Sequence, residues 1–150
     1  MSPLERDNAM PFRQEILDFA REVKMGLMTA WDLFRFVRSA MKLGWSPEQA
    51  RPVFYHIGRI APVPAHYQYL GVIAHVWTGV VSIQVEAGEL RLGDRVAFEL
   101  DTEFEEQDIT SLQVEKAALE IAQAGTRAVT ETKLCRPTLH DGVRVFLVRK

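Results

Sequence analysis

At 150 residues, with 47% hydrophobic and 25% charged residues, the chain has the balance of a globular protein of one domain, or of one small domain with an appendage. Its net charge of −2 gives no bulk electrostatic reason to expect nucleic-acid or membrane binding, and no apolar run approaches the roughly 20 residues that span a bilayer. The single cysteine, Cys135, cannot form an internal disulfide, and the first residues lack the apolar core of a signal peptide, so we expect a cytoplasmic location.

Helical periodicity dominates residues 11–60, where we predict three helices. The first covers about 11–26, and the second runs from a Thr29 cap to a left-handed stop at Gly44. The third opens with Ser46-Pro47-Glu48-Gln49, a capping sequence with proline at the first helical position. The predicted buried stripes are Phe12, Ile16, Phe19, Ala20 and Val23 on the first helix and Leu33, Phe34, Val37, Ala40 and Met41 on the second, whose other side carries Arg35, Arg38 and Lys42.

The segment Ala61-Pro62-Val63-Pro64-Ala65 is predicted to be a linker, since its two prolines favour extended chain. We place a domain boundary here, between a three-helix N-terminal unit at 1–65 and a β domain at 66–150. Residues 1–65 carry nine basic and seven acidic side chains, a net of +2, which leaves −4 for the remainder. The β domain is therefore the acidic part.

From Tyr67 the apolar period changes to two, which is typical of strands. We predict strands at about 69–77, 80–87, 95–100, 108–115, 126–132 and 143–149, with glycine-containing turns between them. The clearest piece is a hairpin in Gly88–Leu100 around a Gly93-Asp94 turn. We interpret residues 101–108 as a solvated acidic loop and 117–124 as an irregular connection. The fold class is α+β, a three-helix cap followed by a six- or seven-stranded antiparallel barrel that leaves no sheet edge exposed.

An ordered set of short motifs in the β half resembles a known family. The motifs are Gly71-Val72-Ile73-Ala74-His75, Gly88-Glu89-Leu90-Arg91-Leu92-Gly93-Asp94-Arg95-Val96, Gln107-Asp108-Ile109-Thr110-Ser111-Leu112-Gln113-Val114 and Ala122-Gln123-Ala124-Gly125. Together they are similar to domain 2 of the translational GTPases, the elongation factor Tu type of β-barrel, as found in stand-alone "translation elongation factor-like" proteins. The resemblance covers about residues 69–149, and the helical half matches no family that we recognise.

The resemblance implies an interaction module that contacts a protein, RNA or the ribosome. The sequence departs from the family at Gly125-Thr126 and Gly142-Val143, where the family usually has Gly-Asp. The phosphate-binding motif G-x-x-x-x-G-K-[ST] is absent from the sequence, so the chain would be such a barrel without its GTPase.

The residues that could carry chemistry do not form a convincing catalytic or metal-binding set. The four histidines, His56, His66, His75 and His140, lack metal-ligand spacing to one another or to the cysteine. His75 occupies a position where the related stand-alone proteins also have histidine, and we retain it as a candidate interaction residue beside the plainer interpretation of a structural rim histidine. A reactive Cys135 would need a base, for which His140 is the nearby candidate. We expect no catalytic residues, no metal and no cofactor.

The helical half offers a second candidate surface, with Arg35, Arg38, Lys42 and Arg51 as possible phosphate contacts. The sequence pattern of residues 42–49 also resembles that of a helix-turn-helix. Phe36 and Trp45 fit the buried stripes least well, so we expect one or both to be exposed, and Trp45 joins the candidate residues.

The leading hypothesis is thus a non-enzymatic interaction module that resembles the second domain of translation factors and binds a protein or ribosome-associated RNA. Nucleic-acid binding through the basic helical half is the alternative. An enzyme centred on Cys135 and a homodimer formed through exposed helical aromatic residues remain open. No membrane partner is expected.

Overall fold

A computed structural model describes residues 30–54 and 63–149, together with the isolated helical positions Glu15 and Phe19. The fold is a β-rich α+β fold, which confirms the predicted class. The chain divides into two compact units, one formed by residues 1–65 with Asp101–Glu103 and the other by His66–Leu100 with Phe104–Lys150. None of the helices within the described ranges has the length and apolar character needed to cross a membrane.

The helical unit contains α1 (Ala30–Leu43) and α2 (Pro47–Phe54). Gly44 takes a φ of 66° and ends α1, where the backbone N–H of Trp45 donates to the carbonyl of Ala40 at 3.1 Å. A reciprocal capping box starts α2, because the N–H of Gln49 donates to the Ser46 hydroxyl and the N–H of Ser46 donates to the Gln49 side chain. The predicted first helix lies largely outside the described residues. Its predicted core residue Phe19 is exposed.

The buried face of α1 is the opposite of the predicted one. Arg35 is 3% exposed and Phe36 1%, whereas Met41 is 81% exposed and Leu33, Phe34 and Val37 are also exposed. Positions 35, 36 and 39 share a helical face as well as positions 33, 37 and 41 do, so spacing alone allowed either stripe. The buried Ser39 hydroxyl donates to the Arg35 carbonyl at 2.7 Å, which satisfies a polar group on the buried side.

Within residues 63–149 the β unit has ten short strands. They are β1 (Tyr67–Trp77), β2 (Val80–Val85), β3 (Glu89–Arg91), β4 (Arg95–Glu99), β5 (Phe104–Asp108), β6 (Gln113–Val114), β7 (Ala117–Ala118), β8 (Ile121–Gln123), β9 (Arg127–Glu131) and β10 (Arg144–Val148). Eight of them form one antiparallel sheet in the order β5-β4-β10-β1-β2-β9-β6-β7, and β3 pairs with β8.

Strand β1 is the central element, since it pairs with β10 along one edge and β2 along the other. The register shifts between Tyr69 and Gly71 on one side and between Ile73 and His75 on the other, and such bulges bend a strand. Gly71 lies against the neighbouring backbone, because a Cβ at that position would be 1.9 Å from the Gln84 carbonyl oxygen. Glycine is therefore required where β1 approaches β2 most closely.

Alternate side chains of these strands supply one apolar core. Leu70 and Ile73 of β1, Val81 and Ile83 of β2, Val96 and Phe98 of β4 and Val145 of β10 are all buried in it. A separate aromatic group consists of Tyr67, Tyr69, Phe104 and Phe146, with ring centroids 5.3 to 6.1 Å apart. The alternation of Val145 and Phe146 between these two groups follows from the period of two along a strand.

The predicted hairpin around Gly93-Asp94 is wrong, although the turn itself forms. The N–H of Asp94 donates to the Arg91 carbonyl at 3.0 Å, and the Asp94 carboxylate accepts from the Arg91 N–H at 2.8 Å. The flanking strands then separate, because β3 pairs with β8 while β4 pairs with β10 and β5. A turn reverses the chain locally, but each flanking strand can still pair with a segment that is distant in sequence.

Two segments expected to be irregular contain strands. Residues 104–108, expected to be an acidic loop, form β5, and residues 117–123 contain β7 and β8. The predicted strand at 108–115 is correspondingly displaced to β5 and β6. Acidic residues are uncommon in strands, so composition concealed β5.

Candidate functional site

The β unit contains a cleft of about 650 Å³ beside strand β5. We call it the β5 cleft. One wall is β5, the facing wall is the chain from the end of β9 to Leu134, and the turn between β1 and β2 contributes Gly79 and Val80. It is lined by residues 79, 80, 95, 105–108, 110 and 131–134. Its volume falls within the range of small-ligand pockets.

At Glu106 and Asp108, strand β5 presents to this cleft a backbone edge that has no ladder partner among the described strands. It is the terminal strand of the eight-stranded sheet, and its ladder partner among the described strands is β4. Just beyond β5, the N–H and C=O of Ile109 both bond to backbone atoms of Gly93 and Asp94, on the β4 side. Backbone groups alternate sides along an antiparallel strand, so those of Glu106 and Asp108 point to the open edge.

Side chains rather than a backbone ladder join the two walls of the β5 cleft. The Gln107 amide nitrogen donates to the Glu131 carbonyl at 2.9 Å, and the Thr132 hydroxyl donates to the Gln107 amide oxygen at 2.7 Å. Nearby, the N–H of Glu131 donates to the Ser111 hydroxyl at 3.1 Å. We call these three contacts the seam. The seam closes one end of the gap between β5 and β9.

The lining of the β5 cleft carries an excess of negative charge. The carboxylates are those of Glu105, Glu106, Asp108 and Glu131, against the two cations Arg95 and Lys133. Arg95 donates to Glu106 at 2.8 Å and to Asp108 at 2.9 Å, and these hydrogen bonds raise the pKa of the Arg95 guanidinium. Arg95 is thus held charged between two carboxylates, and a net charge of −2 remains on the lining.

Glu106 links the cleft to the aromatic group behind β5. Its carboxylate accepts a hydrogen bond from the Tyr67 hydroxyl at 2.6 Å in addition to that from Arg95. The side chain is therefore held from two directions.

The predicted phosphate-binding surface of the helical unit does not form an open basic patch. Arg35 is buried and lies 3.8 Å from the Asp32 carboxylate. Arg38 and Lys42 both bond to Glu103, at 3.3 and 2.5 Å. The hydrogen bond from Lys42 is the main cause of a lowered pKa at the Glu103 carboxyl, with Arg38 contributing. Much of the positive charge expected to contact phosphate is thus neutralised within the unit.

The other two candidate residues of the helical unit, Trp45 and Arg51, differ in exposure. Trp45 and Phe36 are both buried, so the expectation that one or both would be exposed is wrong. Arg51 lies on α2 and is exposed. Phe34 on α1 is exposed, and pairing of two copies through helical aromatic residues stays a prediction.

His75 lies on β1 in a polar group at the surface of the β unit. Its ring nitrogen Nδ1 lies 3.4 Å from the Arg136 guanidinium and 3.9 Å from the Asp141 carboxylate, and its ring contacts that of Trp77 edge-on. Arg136 also donates to the Val76 carbonyl at 3.2 Å, which ties the 133–142 loop to β1. The contacts of His75 are structural, as expected of a histidine at the rim of the β unit. A binding role for His75 stays a prediction.

The cysteine-based alternative requires Cys135 to act together with His140. The Nδ1 of His140 lies 3.0 Å from the Asp141 carbonyl oxygen, and Cys135 is an exposed free thiol. The described residues contain no group of three or more His, Cys, Asp or Glu side chains that could hold a metal ion.

Sequence reasoning missed the β5 cleft because it depends on which strand lies at the sheet edge. Gln107 and Asp108 were considered only as part of an acidic loop and as the start of a motif, and Glu131 and Thr132 only as the end of a predicted strand. Residues 105–108 are all polar and show no apolar alternation, so no local signal in the sequence marks β5 as a strand.

No protein-family model matches the sequence, and no curated protein matches it. Two solved structures that match part of the chain are forms of the C-terminal domain of a U32 peptidase-like protein from Geobacillus thermoleovorans. One is 22% identical with a TM-score of 0.47, over 53% of this chain and 91% of that chain. The other, a selenomethionine variant, is 22% identical with a TM-score of 0.46, over 55% of this chain and 99% of that chain.

These structures correct the expected family. The resemblance to domain 2 of the translational GTPases is wrong, since the similar structures are peptidase-associated C-terminal domains and not translation factor domains. The function that the resemblance implied, a translation-factor-like module for a protein or ribosomal RNA, is withdrawn with it, and the nucleic-acid alternative gains no support. A likeness at this level carries no function to this chain.

Proposed function

We propose that the protein is a non-enzymatic binding module whose β5 cleft takes an extended polypeptide segment. The observation that carries the proposal is the backbone of β5 at Glu106 and Asp108, which faces a cleft of about 650 Å³ and has no ladder partner on that side among the described strands. An extended peptide can add to such an edge as a further strand, with main-chain hydrogen bonds giving affinity and side-chain contacts giving specificity.

The charge of the cleft favours a basic segment. Four carboxylates and two cations line it, so lysine or arginine side chains would gain favourable electrostatic contacts there and acidic ones would be repelled. The five residues of β5 span about 17 Å at the usual strand rise. A segment of about eight residues is therefore long enough to cover the edge.

The seam supports a finer description of the fold. We infer that the β unit is a barrel whose wall closes at the seam through Gln107, Thr132 and Ser111, and that the N-terminal unit has three helices before a boundary near residue 65. In this description the β5 cleft is the gap left where the wall lacks a backbone ladder. An added strand would occupy that gap.

The proposal retains three sequence-based expectations, namely that the chain has no catalytic activity, needs no cofactor and resides in the cytoplasm. The ionic contacts in the β5 cleft support the first of them. Arg95 is engaged by Glu106 and Asp108, which fits a charged binding wall better than a nucleophile with its base.

A pair of variants at Asp108 tests the proposal. Asp108→Pro removes the N–H that points to the open edge, and proline is tolerated at such edge positions. Asp108→Ala is the matched control, because it removes the same carboxylate but keeps the N–H. The probe is a fluorescein-labelled peptide of about eight alternating lysine and threonine residues, and its glutamate–threonine counterpart controls for charge.

Fluorescence anisotropy should show the lysine peptide binding to the wild type and the glutamate peptide failing to bind. Asp108→Ala should weaken binding a few-fold, and Asp108→Pro should weaken it by a further factor of about ten, because a main-chain hydrogen bond is lost. Equal affinities for the two variants, or absence of binding by the wild type, would exclude addition of a strand at β5.

A further inference from the structure

The two sides of strand β5 present different chemistry to the β5 cleft. Successive residues of a strand point to opposite sides of the sheet. Gln107 is paired with Val96 of β4, which is fully buried in the core, so the Gln107 side chain is on the core side, which we call the inner side. Glu106 and Asp108 therefore point to the opposite side, which we call the outer side.

The outer side of the cleft is acidic. Arg95 bonds to both Glu106 and Asp108, at 2.8 and 2.9 Å, so this group of three keeps one net negative charge. On the facing wall, Glu131 of β9 also belongs to the outer side, since its neighbour Thr130 is buried. Basic side chains on the outer side of an added strand would thus meet three carboxylates and a single guanidinium.

The inner side of the cleft is built around Gln107, Thr132 and Leu134. The Thr132 hydroxyl donates to the Gln107 amide oxygen at 2.7 Å and accepts from the Leu134 N–H at 3.1 Å. The Leu134 side chain lines the cleft and packs, partly buried, against the apolar core. Glu105 is also on this side, two residues before Gln107. Since the seam already pairs the polar groups at Gln107, a ligand side chain there would gain free energy mainly by burying apolar surface.

The backbone of β5 sets the alignment of an added strand. Ligand residues opposite Glu106 and Asp108 would form the hydrogen-bonded pairs of an antiparallel ladder, because the main-chain groups of these two residues point to the open edge. The ligand residue between them, opposite Gln107, would form a non-hydrogen-bonded pair, in which the side chains lie closer. Its side chain is then on the inner side, and those of its two neighbours are on the outer side.

We propose that the β5 cleft selects an extended segment with the order basic–aliphatic–basic. The central aliphatic side chain lies opposite Gln107 and packs against Leu134, while the two basic side chains meet the outer carboxylates. This proposal rests on the proposed function, because it requires the segment to add to β5 as a strand. Leu134 is then the residue that determines specificity at the central position, and valine or isoleucine suits that position because β-branched residues favour strands.

Three fluorescein-labelled octapeptides separate the order of the segment from its composition. They are alternating lysine–valine, alternating lysine–threonine and twice-repeated Lys-Lys-Val-Val, and their binding to the full chain is measured by fluorescence anisotropy. Threonine has the shape of valine with a hydroxyl in place of one methyl, so the lysine–valine peptide should bind about five-fold tighter than the lysine–threonine peptide. The blocked peptide never places one valine between two lysines, and it should bind about five-fold more weakly than the alternating lysine–valine peptide.

Leu134→Ala tests the specificity-determining residue. It should bring the ratio of the lysine–valine to the lysine–threonine affinity close to one. The control Leu119→Ala changes an exposed leucine outside the cleft and should keep the ratio at about five. Both peptides are measured on the same sample, so partial unfolding of a variant lowers both apparent affinities equally and leaves the ratio unchanged. A ratio that Leu134→Ala does not change would overturn the assignment of Leu134.

The wild-type measurements distinguish failure of this proposal from failure of the proposed function. Binding of the lysine–threonine peptide with equal affinity for the lysine–valine or the blocked peptide would overturn the basic–aliphatic–basic order and leave strand addition intact. Absence of binding by all three peptides would overturn both proposals.

Discussion

The contribution of Gln107 to the β unit can be tested by removing its side chain. Its amide makes two hydrogen bonds across the seam, one to the Glu131 carbonyl at 2.9 Å and one from the Thr132 hydroxyl at 2.7 Å. Each such bond stabilises a folded protein by about 0.5–1.5 kcal/mol. Gln107→Ala should therefore lower the free energy of unfolding by about 2 kcal/mol.

Urea unfolding followed by circular dichroism gives this free energy for Gln107→Ala and for a control, Gln113→Ala. The control removes an exposed glutamine side chain from strand β6 and should cost less than about 0.5 kcal/mol. A double-mutant cycle with Thr132→Val should give a coupling energy of about 0.5–1 kcal/mol, because the two side chains are in contact. Equal midpoints for Gln107→Ala and Gln113→Ala, or zero coupling, would show that the seam does not hold the walls together.

Two further predictions concern the close approach of Gly71 to the Gln84 backbone and the ionisation of Glu103. Gly71→Ala should lower the free energy of unfolding in urea by about 3 kcal/mol, since the new Cβ would overlap the Gln84 carbonyl. The control Gly79→Ala has open space around a φ of 77° and should lower it by only about 1 kcal/mol. Equal losses of stability in the two variants would contradict the argument. Because the pKa of the Glu103 carboxyl is lowered by Lys42, its contribution of about 0.5–1 kcal/mol is present above about pH 4.3 and is lost as the pH falls further. The stability difference between wild type and Glu103→Gln should accordingly shrink towards pH 3, and a difference independent of pH would refute this pairing.

Local signals in the sequence predicted local structure well. The Ser46–Gln49 capping box, the left-handed Gly44 and the turn at Gly93-Asp94 all form as expected. Each of these features depends on a few consecutive residues, either through a side chain that bonds to nearby backbone or through a glycine that takes a positive φ. Such interactions are independent of what the rest of the chain does.

The sequence did not predict which face of a helix is buried or which strands pair. α1 has two faces that could be buried, and the one with Arg35 and Phe36 is buried although the other is the more apolar. The strands flanking Gly93-Asp94 pair with distant partners, because the edges of β3 and β4 are bonded by β8, β10 and β5. Register and pairing are settled by packing across the whole unit, which periodicity does not report.

The β5 cleft is the feature that the sequence predicted least. Its walls come from segments that lie 24 residues apart at the Gln107–Glu131 contact, and the motif that begins at Gln107 gives no sign of a cleft. A strand edge becomes a site only once the sheet order is known. The candidate residues chosen from sequence were charged or aromatic side chains, whereas the cleft presents backbone groups.

Amide hydrogen exchange at Glu106 and Asp108 tests the central claim most directly. Both N–H groups point to the open edge of β5, so in the free protein they should exchange faster than those of Glu105 and Gln107, which face β4. Saturation with the lysine–threonine peptide should slow exchange at Glu106 and Asp108 specifically. Unchanged exchange at these two amides in the saturated protein would contradict the account.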